Sequence, residues 1–226
     1  GIYEEVIDCL NTLQAIKIAV DIPSGLFADQ HATGEVFRAH HTVSFQLPKL
    51  AFMMSENYLF TGEWHLADIG LSKKGLSEIQ THQYFTTLKS VKKLLKQRAK
   101  FDHKGKFGHA LLIAGATGKM GACVLSARAC LRSGVGLLTA QVPKSGYFIL
   151  QTAVPEAMVL IDLSEDHFSE LKMEDHFQTI GIGPGLGQHA DTKDALEKLM
   201  GQFRKPMVLD ADALNLLAEE PRELPQ

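Results

Sequence analysis

Apolar residues along this chain follow two spacings that alternate. Short apolar runs bounded by glycine, proline or acidic residues read as buried strands, and longer stretches with an apolar residue every third or fourth position read as amphipathic helices. "AIKIAVDIPSG" (15–25) predicts a strand and a turn, and "VFRAHHTVSF" (36–45) and "GEWHLADIG" (62–70) predict further strands. From Gly70 to Lys100 the pattern turns polar and lysine-rich, with no strand. Beyond it, Ala110–Ala114 reads as a strand, 115–121 as a glycine-rich loop, Ala122–Arg132 as a helix and Gly136–Val142 as the next strand, which together make a βαβ unit. "TIGIGPGLG" (179–187) predicts a strand running into a glycine loop, "ADTKDALEKLMGQF" (190–203) a helix with Asp191 near its N-cap, and "KPMVLDADALNLLA" (205–218) a strand, an acidic turn and a helix.

Alternating strands and helices predict an α/β protein with parallel sheets covered by helices in three layers. The strandless stretch puts a boundary between about 75 and 100, giving segments 1–75 and 101–226 joined by 76–100. Open α/β sheets bind ligands beyond the carboxyl ends of their strands. Asp21, the loop 115–121, the loop 183–187 and the pair Asp210 and Asp212 all fall at such ends.

Composition narrows the classes. A hydrophobic content of 45% over 226 residues is enough for a substantial core, and a net charge of −3 argues against a nucleic-acid binder that works through a basic face. The local basic run "LKSVKKLLKQRAK" (88–100) has apolar residues at roughly helical spacing, so it reads as a solvated helix face or connector, with an anion or partner surface as the alternative. Three cysteines close no disulfide set and none has metal-finger spacing; Cys123 and Cys130 share a helix face and read as core residues. No apolar run reaches the ~20 residues of a membrane span and no signal peptide opens the chain, so a cytoplasmic protein is expected.

In the first glycine loop, Gly115, Gly118 and Gly121 allow a tight turn and close backbone approach, and the helix that follows offers unpaired N–H groups to an anion. The spacing matches neither GxxxxGK[ST] nor GxGxxG, so a plain strand-to-helix turn is an equal reading. "GIGPGLG" sets Gly181, Gly183, Gly185 and Gly187 around Pro184, which fits a backbone approaching a ligand or two loops crossing tightly. Asp212 would cap a helix starting at Ala213, but that leaves Asp210 without a role; two carboxylates near Asn215 suit Mg²⁺ or the hydroxyls of a polar substrate. Asp21 closes the first strand before Pro23 and Ser24, where it fits a general acid or base, or an Asx-type turn. The histidines are scattered: His40 and His41 would point to opposite faces of a strand, His103 and His109 flank a turn, and none has metal-ligand spacing to a Cys or Glu.

Taken in order, "KIAVDIPSGL", "TVSFQLPKLAF", "GEWHLADIGL", "HKGKFGHALLIAGATGKMGACVLSARACLRSGVGLLT", "PEAM", "GIGPGLG" and "KPMVLDADALNLLA" resemble the bifunctional NAD(P)H-hydrate repair enzymes, the YjeF-related family. The resemblance spans nearly the whole chain. It implies the C-terminal part of a Rossmann-like epimerase domain over 1–75, then the N-terminal part of a ribokinase-like dehydratase domain over 101–226. It also implies a substrate, hydrated NADH or NADPH. The epimerase half would interconvert the R and S hydrates, and the dehydratase half would remove water from the S form using ADP or ATP. By resemblance Asp21 is the epimerase acid that contacts the hydrate and Ser24 a K⁺ ligand. Ala122, Gly183, Gly185 and Gly187 line the substrate, Asp210, Asp212 and Asn215 sit beside its phosphate region, and Gly115, Gly118 and Gly121 approach the nucleotide cofactor, with Mg²⁺ as the accompanying ion.

The family's Asn-Gly-Gly-Asp-Gly phosphate loop and its later Gly-x-Gly-Asp catalytic loop have no counterpart in the chain, which therefore resembles an internal piece and is expected to catalyse neither reaction by itself. Uncovered sheet edges would favour a homo-oligomer. Two other readings stay open: a ribokinase-like kinase for a small alcohol, which does not account for "VDIPSGL" and "ADIGL", and a non-catalytic nucleotide-binding module.

Overall fold

Strand pairing in the computed structural model, which describes residues 1–172 and 175–219, is parallel throughout the described residues. The chain divides into two units, Gly1–Lys92 and Lys93–Gln226. In the first, helix α1 (Ile2–Thr12) precedes strands β1 (Ile18–Val20) and β2 (His41–Phe45), and the short helix α2 (Tyr58–Thr61) precedes β3 (Glu63–Ala67). The sheet order is β1-β2-β3.

One face of this sheet is packed and the other is open. Leu26, Val36, Ala51 and Phe52 form a buried cluster against which Trp64 packs. Buried Thr42 sits on β2, its hydroxyl donating to the Thr61 carbonyl at 2.7 Å. On the other face Ile18 and Val20 are more than half exposed. The strand expected over 36–45 is paired only from His41, because Val36 has turned into the cluster instead. Helix α3 (Lys73–Glu78), capped by the Ser72 hydroxyl, and helix α4 (Leu88–Leu94) follow. Every residue from 87 to 100 is exposed, as both readings of the lysine-rich run require.

The second unit holds strands β4 (His109–Ile113), β5 (Leu137–Val142), β6 (Met158–Ile161), β7 (Thr179–Ile182) and β8 (Met207–Leu209), with helices α5 (Met120–Arg132), α6 (Tyr147–Ala153), α7 (Ala190–Gln202) and α8 (Asp212–Ala218). Strand order is β6-β5-β4-β7-β8. Alternation along β4 makes the three layers: Leu111 and Ile113 join Ile180, Ile182, Leu196, Leu199, Ala213 and Leu216 on the α7 and α8 side. Ala110, Leu112 and Ala114 join Leu138, Ala140, Cys123, Ala127 and Leu150 on the α5 and α6 side. Helix α5 buries Met120, Cys123 and Ala127, the stripe a helical period dictates. It starts at Met120, so Gly121 lies in its first turn and not in the loop where the sequence pattern put it. The terminal helix likewise starts at Asp212 and not at Ala213.

Candidate functional site

The chain runs from β4 outward through β5 to β6, then returns to place β7 on the other flank of β4. Connections therefore leave β4 and β7 in opposite directions, the topological arrangement beside which open α/β sheets bind ligands. Two glycine loops follow these strands, and they are joined: the Gly115 N–H donates to the Pro184 carbonyl at 2.9 Å. Of the described residues, Met120 and Gly121 head α5 with N–H groups that donate to no protein atom.

The glycines separate into two kinds. A β-carbon on Gly183 would stand 1.8 Å from the Asp210 carbonyl oxygen, and one on Gly185 would stand 2.8 Å from the Lys119 carbonyl oxygen and 2.9 Å from the Ala122 Cβ. These two are glycine because the loops cross tightly, the alternative that the spacing had left open. Around Gly118 and Gly121, by contrast, an added β-carbon meets nothing within 4 Å. Gly187 needs its positive φ of 81° and has its nearest contact, His189, at 3.4 Å. Ala122 is brought to the crossing through Gly185.

The acidic turn joins the same crossing. The Asp210 N–H donates to the Ile182 carbonyl at 3.0 Å, continuing the β8 register, and Ala211 then takes a φ of 45°. That value is uncommon for a residue other than glycine and marks a constrained turn. Asp212 does not cap its helix. Its Oδ2 accepts the Gly187 N–H at 2.8 Å and lies 3.6 Å from the Lys119 ammonium, while its Oδ1 accepts from the Asn215 amide at 3.4 Å. The Gly187 N–H above all, then Lys119 and Asn215, hold its carboxyl below the usual carboxylate range against the opposing pull of burial. Asp212 thus clasps the second glycine loop. Asp210 is exposed, and its carboxylate makes no hydrogen bond or ion pair among the described residues.

Two further strand ends complete the rim, and the sequence reading missed them. Thr117 donates its hydroxyl to Asp166 at 2.8 Å and lies 2.9 Å from the Ser145 hydroxyl. Asp162 closes β6 in a buried position and accepts from Gln141 at 2.9 Å, from the Ser164 N–H at 3.0 Å and from the Ser169 hydroxyl. Burial pushes its pKa up, but the Ser169, Ser164 and Gln141 donors outweigh it and leave the carboxyl below its ordinary value. An acid directly after the apolar run "MVLI" carries the same signal as Asp210 and was readable.

In the first unit Asp21 adopts a φ of 66° at the end of β1. Its Oδ1 accepts from the Lys49 ammonium at 2.6 Å and from the Phe45 N–H at 3.0 Å. Lys49 and then the Phe45 N–H hold this carboxyl below its usual range, so it stands ionised at neutral pH. The Ser24 carbonyl is occupied by the Phe37 N–H at 2.9 Å, whereas its exposed hydroxyl makes no hydrogen bond among the described residues. Ser24 lines a cavity of about 630 Å³ with Ile7, Leu10, Gly25 and Phe37, and Asp21 lies outside that lining.

Comparison with known proteins bears on both units. Residues 1–51 match the model of the YjeF-related protein N-terminus, and residues 110–226, just over half of the chain, match the model of NAD(P)H-hydrate dehydratase. The bifunctional NAD(P)H-hydrate repair enzyme Nnr of Moorella thermoacetica is 34% identical across 99% of this chain and 44% of its own length; that of Escherichia coli K12 is 39% identical across 96% and 41%. The chain thus spans less than half the length of these relatives. The ADP/ATP-dependent NAD(P)H-hydrate dehydratase of Bacillus subtilis, crystallised with ATP and Mg²⁺, superposes with a TM-score of 0.51 at 28% identity, covering 62% of this chain and 48% of that one. A ribokinase-like superfamily protein from Enterococcus faecalis V583 gives 0.51 at 27% identity, covering 64% and 53%. With the parallel five-stranded sheet, the glycine crossing and a family model matching over more than half its residues, the chain belongs to the NAD(P)H-hydrate dehydratase family.

Proposed function

We propose that the chain contributes residues to the repair of hydrated NADH and NADPH, its first unit to epimerisation of the R and S hydrates and its second to nucleotide-dependent dehydration of the S form. The observation that carries the second activity is the joined pair of glycine loops, with the open amides of Met120 and Gly121 at the head of α5 on one side and the acidic turn packed against Gly183 on the other. Hydroxide is a poor leaving group. Bound ADP or ATP supplies the phosphoryl group that turns the ring hydroxyl into departing phosphate.

The chain's own residues then have separable tasks. The N–H groups heading α5, at the positive end of the helix dipole, receive phosphate oxygens. Gly118 and Gly121 keep side chains out of the space in front of them, and Ala122, Gly183, Gly185, Gly187 and Asn215 line the hydrated dinucleotide. A Mg²⁺ would take Asp210 as its oxygen donor, since Asp212 is committed to Gly187 and Lys119. In the first unit Asp21, held as a carboxylate, acts as a proton acceptor or charge partner toward the hydrate. Ser24 contributes its free hydroxyl to a K⁺ shell.

Calorimetric titration of the chain with ADP and Mg²⁺, and with the S hydrate of NADPH in their presence, tests this. Gly121→Val and Asp210→Ala are expected to weaken binding by at least about tenfold, ~1.4 kcal/mol, with the circular dichroism spectrum unchanged. Unchanged affinity in both variants, or no binding by the parent chain, would overturn the reading. It extends to a cytoplasmic location, in keeping with three free cysteines and with no helix among the described residues long and apolar enough to cross a membrane. It also extends to self-association through the exposed face that carries Ile18 and Val20. Sedimentation as a monomer at micromolar concentration would remove that last element.

A further inference from the structure

The open face of the three-stranded sheet carries a cluster that the repair chemistry leaves unused. The β2–β3 register sets His41 directly beside Glu63 and Val43 beside His65. Side chains alternate along a strand, so His41, Glu63 and His65 project from the same face. Glu63 stands between the two imidazoles: its Oε2 is 3.8 Å from His41 Nδ1 and its Oε1 is 3.9 Å from His65 Nε2. The rings stack with centroids 5.9 Å apart and planes inclined by 29°. One ligand atom from each of the three residues falls within 4.8 Å of the others.

We propose that His41, Glu63 and His65 form a binding site for a late first-row divalent cation, for which Zn²⁺ is the probe. Two imidazoles and a carboxylate are the donor set such ions prefer. With metal–ligand bonds of about 2.1 Å, the donors of a tetrahedral site lie about 3.4 Å apart, so each atom has to move inward by less than about 1 Å. The side chains are free to make that adjustment, with exposures of 43%, 70% and 52%. Their backbones are fixed: the His41 N–H donates to the Lys17 carbonyl at 3.2 Å and the Glu63 N–H to the His40 carbonyl at 3.0 Å. Three protein donors leave at least one position to water. The site is separate from Asp21, whose partner Phe45 lies four residues further along β2, roughly 13 Å away at the strand rise. As an ion-pair cluster alone, the three exposed groups would contribute little.

The experiment is Zn²⁺ titration of the chelator-stripped full chain by calorimetry, repeated with Co²⁺ under visible absorption. One saturable equivalent is expected. His41→Ala and His65→Ala should each weaken it by at least about tenfold, Glu63→Gln should weaken it less, and His82→Ala, at an exposed histidine elsewhere, should leave it unchanged. Binding curves of His41→Ala and His65→Ala that superpose on the parent's, or no saturable binding by the parent, would overturn the proposal. If a variant loses its fold, the parent decides: Co²⁺ must shift or broaden the ring proton resonances of both His41 and His65. Unaffected resonances at either histidine refute the site. The readouts do not involve cofactor repair, so this test fails or succeeds independently of the repair chemistry, and sedimentation of the Zn²⁺-loaded chain separates it from self-association through the same face.

Discussion

Three glycine-to-alanine substitutions in the second unit should differ widely in cost although the chemical change is the same. At Gly183 the φ of 133° is one an L side chain rarely takes, which costs about 1–3 kcal/mol. The new β-carbon would also stand 1.8 Å from the Asp210 carbonyl and 3.0 Å from the Ala213 Cβ. Those neighbours lie in the acidic turn after β8 and in α8, so they retreat only by opening that turn, a rearrangement worth a further 1–3 kcal/mol or so. Gly183→Ala is thus expected to lose about 2–6 kcal/mol. Gly118→Ala has the strain of a φ of 80° with nothing within 4 Å, and should lose about 1–2 kcal/mol. Gly121→Ala is helical and open, and should gain up to about 0.5 kcal/mol. The lone tryptophan lies in the first unit, so fluorescence would not read this. Amide hydrogen exchange at Leu111–Ile113 and Ile180–Ile182 reports the opening free energy of the relevant sheet directly. If Gly183→Ala proves no more costly than Gly118→Ala, the tight crossing of the loops is wrong.

Asp162→Ala should destabilise the second unit by about 2–4 kcal/mol, because the buried Gln141 amide keeps only the Glu170 carbonyl and the half-buried Ser169 hydroxyl loses its acceptor; urea unfolding followed by hydrogen exchange checks it. The depressed carboxyl pKa values of Asp162 and Asp212 contribute stability that is present above the unfolded value of 3.8 and is lost as pH falls below it, so the parent should weaken on acidification through that range more steeply than an Asp162→Asn, Asp212→Asn double variant. Burial pushes the Cys123 thiol up to about 12 while Cys9 is exposed, so brief iodoacetamide treatment of the native chain should modify Cys9 and spare Cys123, as peptide mass spectrometry would show. Lys49→Met removes the nearest cation from Asp21 and should raise its titration midpoint, measured by carbon NMR of the carboxyl; an unchanged midpoint would mean the ion pair does not form in solution.

The parts of the fold that were legible are those whose pattern is local. "HALLI", "LLTAQV" and the stripe Met120, Cys123, Ala127 announce a strand, a strand and a helix without help from distant residues. Helix α1 was not anticipated: of its apolar residues only Ile7 is buried, while Ile2, Tyr3, Val6 and Leu10 stay exposed, so its stripe has no clear core partner to point to. The glycine loops and acidic turn were visible as residues, but not which glycine excludes protein and which leaves space, since that depends on strands far apart in sequence meeting. Asp162 was overlooked although it ends an apolar run. The His41, Glu63 and His65 cluster was out of reach, because the β2–β3 register creates it and spacing along the chain does not.

The bond from Gly115 to Pro184 has a consequence for the order of events during synthesis. A chain leaving the ribosome finishes the first glycine loop about seventy residues before its partner exists, and Asp212 follows later still. Until β7 and β8 emerge, Leu111 and Ile113 lack the neighbours that bury them on one face. No ligand of the crossing can steady the nascent strand through that interval, which makes it the period when a holding chaperone has the most to grip.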